Sequence, residues 1–83
     1  MKYIAEIIVM PRKELLDPQG KAVAHNMKNI EISGVEDVRI GKHIQMTVEA
    51  DNAEEAQQKV DVACKKLLAN VIMETYSFNI KSL

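Results

Sequence analysis

Cysteine occurs once in the 83-residue chain, at Cys64, so no internal disulfide can form, and no Cys or His cluster surrounds it to suggest a metal site. A reducing, cytosolic compartment is the natural expectation. Tryptophan is missing, and Tyr3, Tyr76 and Phe78 are the only aromatic residues. An RNA-recognition sheet needs stacking aromatics on its central strands, and the corresponding stretch offers Ile44, Met46 and Val48 instead. Neither sign of charge prevails: 11 Lys plus Arg are interspersed with 12 Asp plus Glu for a net charge of −1, which leaves no basic face for a nucleic acid. With 3 glycines and 2 prolines there is no Gly-rich phosphate loop and no flexible linker. Long apolar runs are lacking too. Met1 to Met10 is broken by Lys2 and Glu6 and has no small-residue cleavage pattern, so neither a membrane span nor a signal peptide is expected.

What is present is enough for one small domain, residues 1–83, with 47% hydrophobic residues. A chain of this length buries only roughly 60–65% of its unfolded surface. Without disulfides or metals, self-association is the usual remedy for so small a core.

Tyr3 to Met10 reads as a first strand in which Tyr3, Ala5, Ile7 and Val9 fill one face and Ile4, Ile8 and Met10 most of the other, so that both faces ask for cover. After Pro11 and a loop over Arg12 to Leu16, Asp17 is placed to cap a helix whose first position is Pro18. That helix should run to about Glu31, with Val23, Met27 and Ile30 as its core stripe and Ser33-Gly34 as its stop. Gly20 in the first turn costs roughly 1 kcal/mol of helix propensity against alanine. It implies either a close backbone approach or exposed amides meeting a polar group.

Strands are expected at Val35–Ile40 and Ile44–Glu49, joined by a hairpin around Gly41. A connection that opposes Ile40 to Ile44 and Val38 to Met46 keeps the apolar residues on one face, so a three-residue or bulged turn is preferred to a two-residue one. Asn52 and Glu55 form a capping box for a second helix, with Ala56, Val60, Ala63, Cys64 and Leu67 facing the core and Asn70 as the left-handed residue past its end. A last strand covers Ile72–Ile80, with Ile72, Tyr76, Phe78 and Ile80 on one face. The order strand, helix, strand, strand, helix, strand is that of an α+β, βαββαβ ferredoxin-like sandwich: an antiparallel sheet with two helices on one face. That scaffold by itself does not specify a function.

No nucleophile elbow, metal-binding His pair or catalytic constellation is visible, and Asp37, Glu49, Glu54, Glu55 and Asp61 read as solvated faces. His25 belongs to an exposed helix face and His43 to a solvated turn. Three polar clusters remain, each at the end of a regular element: Asp17 to Lys21, Asp37 to Lys42, and Asn70 to Tyr76. Taken singly they read as a cap, a hairpin turn and a helix stop.

Together they carry a resemblance. Leu16-Asp17-Pro18-Gln19-Gly20-Lys21-Ala22-Val23, Val35-Glu36-Asp37-Val38-Arg39-Ile40-Gly41-Lys42, and Cys64-Lys65-Lys66-Leu67-Leu68-Ala69-Asn70 running into Ile72, Glu74 and Tyr76 resemble, in order and spacing, the PurS family. Its members are the small subunit of the three-component phosphoribosylformylglycinamidine synthase. Val71 departs from the pattern, in which proline often follows the asparagine.

The resemblance implies that the chemistry lies elsewhere: a PurL-type synthetase subunit uses ATP and Mg, a PurQ-type glutaminase subunit releases ammonia, and the small subunit, as a dimer or tetramer, joins them. It also implies that this chain binds no cofactor itself and touches neither nucleic acid nor membrane. Asp17, Pro18, Gly20, Arg39, Gly41, Lys42, Asn70 and Glu74 are then candidates for contact with partners. Two alternatives use the same scaffold. One is a stand-alone dimeric module binding a small metabolite. The other is an acylphosphatase-like enzyme, which would need a glycine in the anion loop where Pro11-Arg12-Lys13-Glu14-Leu15-Leu16 has none.

Overall fold

Strand β1, Lys2–Pro11, lies at the centre of a three-stranded antiparallel sheet, in a computed structural model that describes residues 1–83. Strand β2, Lys42–Glu49, flanks it on one side and strand β3, Glu74–Ser82, on the other. The register sets Ala5 beside Met46 and Ile80, and Ile7 beside Ile44 and Phe78. Because opposed residues share a face, the alternation in all three strands produces a single apolar surface.

Helix α2, Ala53–Ala63, covers that surface. Ile7, Val9, Val60 and Cys64 are fully buried between helix and sheet, with Ile44, Met46, Leu68, Tyr76 and Phe78 closing around them. Tyr3, Ala50 and Ala56 form a smaller cluster at the other end. Asn52 caps α2 as expected, its side chain accepting the Glu55 N–H at 2.8 Å. Glu55 does not complete the box, because its carboxylate turns along the helix to Lys59 at 3.2 Å.

The end of α2 departs from a regular helix. Cys64–Leu68 forms a π-turn closed by the Ala69 N–H on the Cys64 carbonyl at 3.0 Å. One extra residue in the turn rotates the following side chains by about 100° relative to an α-helix. Leu68 therefore takes the inward position expected of Leu67, which is 82% exposed. Asn70 is not left-handed either: Glu31, at φ 61°, is the one non-glycine residue with positive φ.

Helix α1 is shorter than expected, Pro18–Asn26, and continues as a 3₁₀ turn, Met27–Ile30. Its end is a Schellman motif in which the Ile32 N–H reaches the Met27 carbonyl and the Glu31 N–H the Lys28 carbonyl, both at 3.1 Å. The stripe on α1 is not core. Gly20 is its only buried residue, Val23 and Met27 are half-buried, and Ile30 is 64% exposed. Only α2 lies on the sheet, while α1 and the residues after it extend the molecule to 51 × 26 × 15 Å. The radius of gyration is 16.4 Å, against about 12 Å for a compact chain of this length.

The strand expected at Val35–Ile40 is absent, so the sheet has three strands rather than four and no hairpin turns at Gly41. The reason is local. The Ile40 N–H is bonded to Asp17 and the Arg39 side chain to the Pro11 carbonyl, so the segment runs past the end of β1 instead of folding back beside β2. The last strand also starts later than expected, because Ile72 belongs to the turn that precedes β3.

A non-glycine residue in the left-handed region costs roughly 1–2 kcal/mol, partly offset by the greater freedom of glycine in the unfolded chain. Glu31→Gly is therefore expected to stabilise the protein by about 0.5–1 kcal/mol. A urea midpoint equal to or below that of the parent contradicts this.

Candidate partner interface

Asp17 joins two of the polar clusters. Its Oδ1 accepts the Gly20 N–H at 3.0 Å, capping α1, and its Oδ2 accepts the Ile40 N–H at 2.8 Å, 23 residues away. The bond from Gly20 and then that from Ile40 hold the carboxyl below its ordinary value. Pro18 follows at the first helical position and remains exposed. Gly20 is buried because the Val38 carbonyl packs directly on its Cα, and a Cβ there would overlap that carbonyl. The close backbone approach implied by the glycine thus comes from the chain itself. Gly41 has the same character: a Cβ would overlap the Val9 carbonyl and the Met10 sulfur.

Arg39 is half-buried and donates through Nη2 to the Pro11 carbonyl. Its fork meets a carbonyl, as its chemistry suggests, but one within the chain. Lys42, exposed, opens β2 opposite Val9.

The third cluster is a tight turn between α2 and β3. The Asn70 N–H donates to Glu74 Oε1 at 2.8 Å, the Glu74 N–H returns to the Asn70 carbonyl at 2.7 Å, and the Asn70 side chain accepts the Ile72 N–H at 3.1 Å. Arg12 ties this turn to the end of β1. Its Nε donates to the Ile72 carbonyl at 3.1 Å, its Nη2 to the Val71 carbonyl at 2.6 Å, and its backbone N–H to the Met73 carbonyl at 2.9 Å. Reading the sequence as a connecting loop from Arg12 onward missed this residue. The only local hint is an arginine immediately after a strand-ending proline.

The second and third clusters therefore meet at Pro11 and Arg12, at the C-terminal end of β1, and the first is joined to the second through Asp17. An open depression of about 350 Å³ lies there, lined by Pro11, Arg12, Arg39 and Thr75 among others. A neighbouring one of about 450 Å³ involves Arg12, Lys65, Glu74 and Tyr76. Below it the Tyr76 hydroxyl donates to Asp61 Oδ1 at 2.6 Å, and Lys65 sits 3.0 Å from Asp61 Oδ2. The hydrogen bond to Asp61 pushes the Tyr76 hydroxyl up to about 12, and burial raises the Cys64 thiol. Both groups are thereby kept in their protonated, unreactive forms at neutral pH. On the opposite face of the sheet Glu6 accepts from Gln45 at 2.9 Å and meets His43 Nε2 at 2.6 Å, so His43 belongs to a strand and not to a solvated turn. No three His, Cys, Asp or Glu side chains are placed to hold a metal ion.

A family model described as PurS, phosphoribosylformylglycinamidine (FGAM) synthase, matches residues 4–82. The chain belongs to the PurS family. Its similarity to the PurS subunit of Synechocystis is 42% identity over 81 residues, covering 98% of this chain and 81% of that protein. The Bacillus subtilis PurS subunit is 35% identical over 79 residues, covering 95% and 93%. Among solved structures, B. subtilis PurS superposes with a TM-score of 0.86 over 96% of this chain and 99% of that one, at 35% identity. The Thermotoga maritima PurLQS structure contains a chain that matches with a TM-score of 0.85 over 100% and 99%, at 31% identity. The PurS fold is thus that of an α+β protein with an antiparallel sheet, as expected, here with three strands.

Two expectations follow from the tether. Gly→Ala in an ordinary helix position stabilises by about 1 kcal/mol. Gly20→Ala is expected to have the opposite sign and destabilise by roughly 1–3 kcal/mol, because the methyl group meets a backbone carbonyl. A rise in the urea midpoint would show that Val38 is not held there. The second concerns acid. Asp17 titrates below 3.8 in the folded protein, so the stability contributed by its ionised form is fully present above that pH and lost as the pH falls through the lowered folded value. Asp17→Asn is expected to be less stable at neutral pH and to lose less on acidification, and parallel stability–pH curves for the two proteins contradict this.

Proposed function

We propose that this chain is the non-catalytic assembly subunit of a phosphoribosylformylglycinamidine synthase and acts in the cytoplasm as a single domain, residues 1–83. The T. maritima relative is seen in a structure named PurLQS, and the curated relatives are named subunits of the synthase. In the proposed complex the synthetase subunit uses ATP and Mg to activate formylglycinamide ribonucleotide, and the glutaminase subunit supplies ammonia from glutamine. This chain joins the two as a dimer or tetramer and helps the ammonia pass without being protonated in bulk water.

The observation that carries this reading is how the charged residues of the site are used. Asp17, Arg39, Arg12 and Glu74 each hold backbone of their own chain in place. The result is a rigid surface rather than a reactive group. Exposed on it are Pro18, Gly41, Lys42 and Asn70, together with the apolar side chains of Leu16 at 65% exposure and Ile72 at 81%. Such a mixture of apolar area and fixed polar rim suits a protein partner.

Reconstitution tests it. With glutamine as nitrogen donor, synthetase and glutaminase are expected to form the amidine at least tenfold more slowly without this chain, whereas ammonium salts should restore the rate. Equal glutamine-dependent rates with and without the chain overturn the proposal. Lys42→Glu should weaken co-elution with the synthetase while leaving the circular dichroism spectrum unchanged.

A further inference from the structure

The chain holds 12 Asp plus Glu against 11 Lys plus Arg, yet none of these carboxylates pairs with the two arginines at the end of β1. The three ion pairs of the molecule involve His43, Lys59 and Lys65. Arg12 and Arg39 instead give part of their guanidinium donors to backbone carbonyls, Arg12 through Nε and Nη2 and Arg39 through Nη2. A guanidinium carries five N–H groups, so the Nη1 edge of Arg12 and the Nε and Nη1 groups of Arg39 are left over. Asp17 feels the charge of Arg39, but its two oxygens are taken by the Gly20 and Ile40 N–H groups. Both arginines are half-buried, and the carbonyl bonds fix their position before any ligand arrives.

The two line the same open depression of about 350 Å³, together with Lys13, Thr75 and one carboxylate, Glu14. Three positive charges and one negative leave an excess of two around a single concavity. We infer that this depression binds a phosphate group, either free inorganic phosphate or the end of a small phosphate ester. A phosphomonoester carries a charge of about −1.5 to −2 at neutral pH and three acceptor oxygens, which matches both the excess charge and the number of donors. A carboxylate brings one charge and two oxygens, and so leaves a cation and a donor unsatisfied. Planar guanidinium edges suit phosphate oxygens two at a time, and the Thr75 hydroxyl is a further donor. The neighbouring depression of about 450 Å³ shares Arg12 and Thr75, which gives the remainder of an ester a place to lie. An acylphosphatase-like loop would hold an anion on backbone amides around a glycine; here side chains from two separate segments supply the donors instead. The site is built within one chain, so the inference does not rest on the assembly reading.

Titration of the isotope-labelled full chain tests it, with sodium phosphate and separately with glycerol phosphate, by following backbone amides and arginine Nε signals. The buffer holds about 150 mM NaCl, at which weak attraction to exposed charges is screened. Saturable shifts are expected at Arg12, Lys13, Arg39 and Thr75, with a Kd of roughly 1 mM or below for the tighter ligand. Equal affinities assign the site to the phosphate group alone and a tighter ester adds the neighbouring depression; both support the inference. Replacing Arg12 or Arg39 would also release the backbone they hold, so the variants are Lys13→Glu and Thr75→Val, at exposed positions. Lys13→Glu is expected to weaken binding about tenfold and Thr75→Val about threefold, with the rest of the spectrum unchanged. Shifts that do not saturate at roughly twentyfold the expected Kd overturn the inference. Shifts scattered over the surface lysines mark an adventitious ion only, and affinities indifferent to both variants place the anion elsewhere; each overturns it too. Sodium acetate binding as tightly as phosphate also overturns it, and assigns the depression to an acidic side chain of a protein partner.

Discussion

The carboxylate of Asp17 binds two amides that belong to different parts of the chain, and most of the arrangement follows from that. One oxygen satisfies the Gly20 N–H that helix geometry leaves without a partner, and the other satisfies the Ile40 N–H that a missing strand leaves without one. Charge-assisted bonds to backbone N–H groups are stronger than neutral ones, and they act here where little apolar burial is available to hold α1. Because the two oxygens of one rigid group are shared, the start of α1 and the entry into β2 move as a unit. Gly20 is the steric condition for this, since any side chain would hold the Val38 carbonyl away.

Burial is unevenly distributed. Ten residues of 83 are buried, and apart from Gly20 all lie in or beside the β1–β2–β3 sheet and α2. The remainder, from Leu15 to Gly41, is held by polar bonds at its ends and by local turns. A chain with 47% hydrophobic residues still has so small a core because large apolar side chains are left exposed in several places, at Leu15 and Leu16, at Ile30, Ile32 and Val35, and at Leu67, Val71, Ile72 and Met73 before β3.

Much of the sheet was legible because alternation in Ile44, Met46 and Val48 and in Tyr76, Phe78 and Ile80 reports a face, and the face is what a strand must satisfy. The caps at Asp17 and Asn52 were legible for a similar reason, since each acts within three residues of itself. The expected strand at Val35–Ile40 failed on a different point. Its pattern reports a capacity to pair, whereas the residues that prevent pairing within the chain, Asp17 and Pro11, lie more than 20 positions away. Leu67 was misplaced because a π-turn alters phase without leaving a mark in a 3.6-residue count. Left-handed geometry fell on Glu31 rather than Asn70, since Asn70 uses its side chain and carbonyl to build a turn. Arg12 stayed hidden because its partners, the Val71 and Ile72 carbonyls, are some 60 residues distant.

The same distances bear on how the three motifs of the family pattern function. They are far apart in sequence, yet the second and third are bonded to Pro11 and Arg12 at the end of β1, and the first is bonded to the second. Arg39 ends on Pro11, Arg12 reaches out to the turn at Val71 and Ile72, and Asp17 fixes Ile40 beside them. A substitution in any one motif therefore alters the surface formed by the other two, because their relative position is set through the shared strand end. That coupling makes the motifs a single structural requirement. It also gives these charged residues a structural use: they hold backbone, and the side chains of Leu16, Lys42, Ile72 and Met73 stay exposed around them.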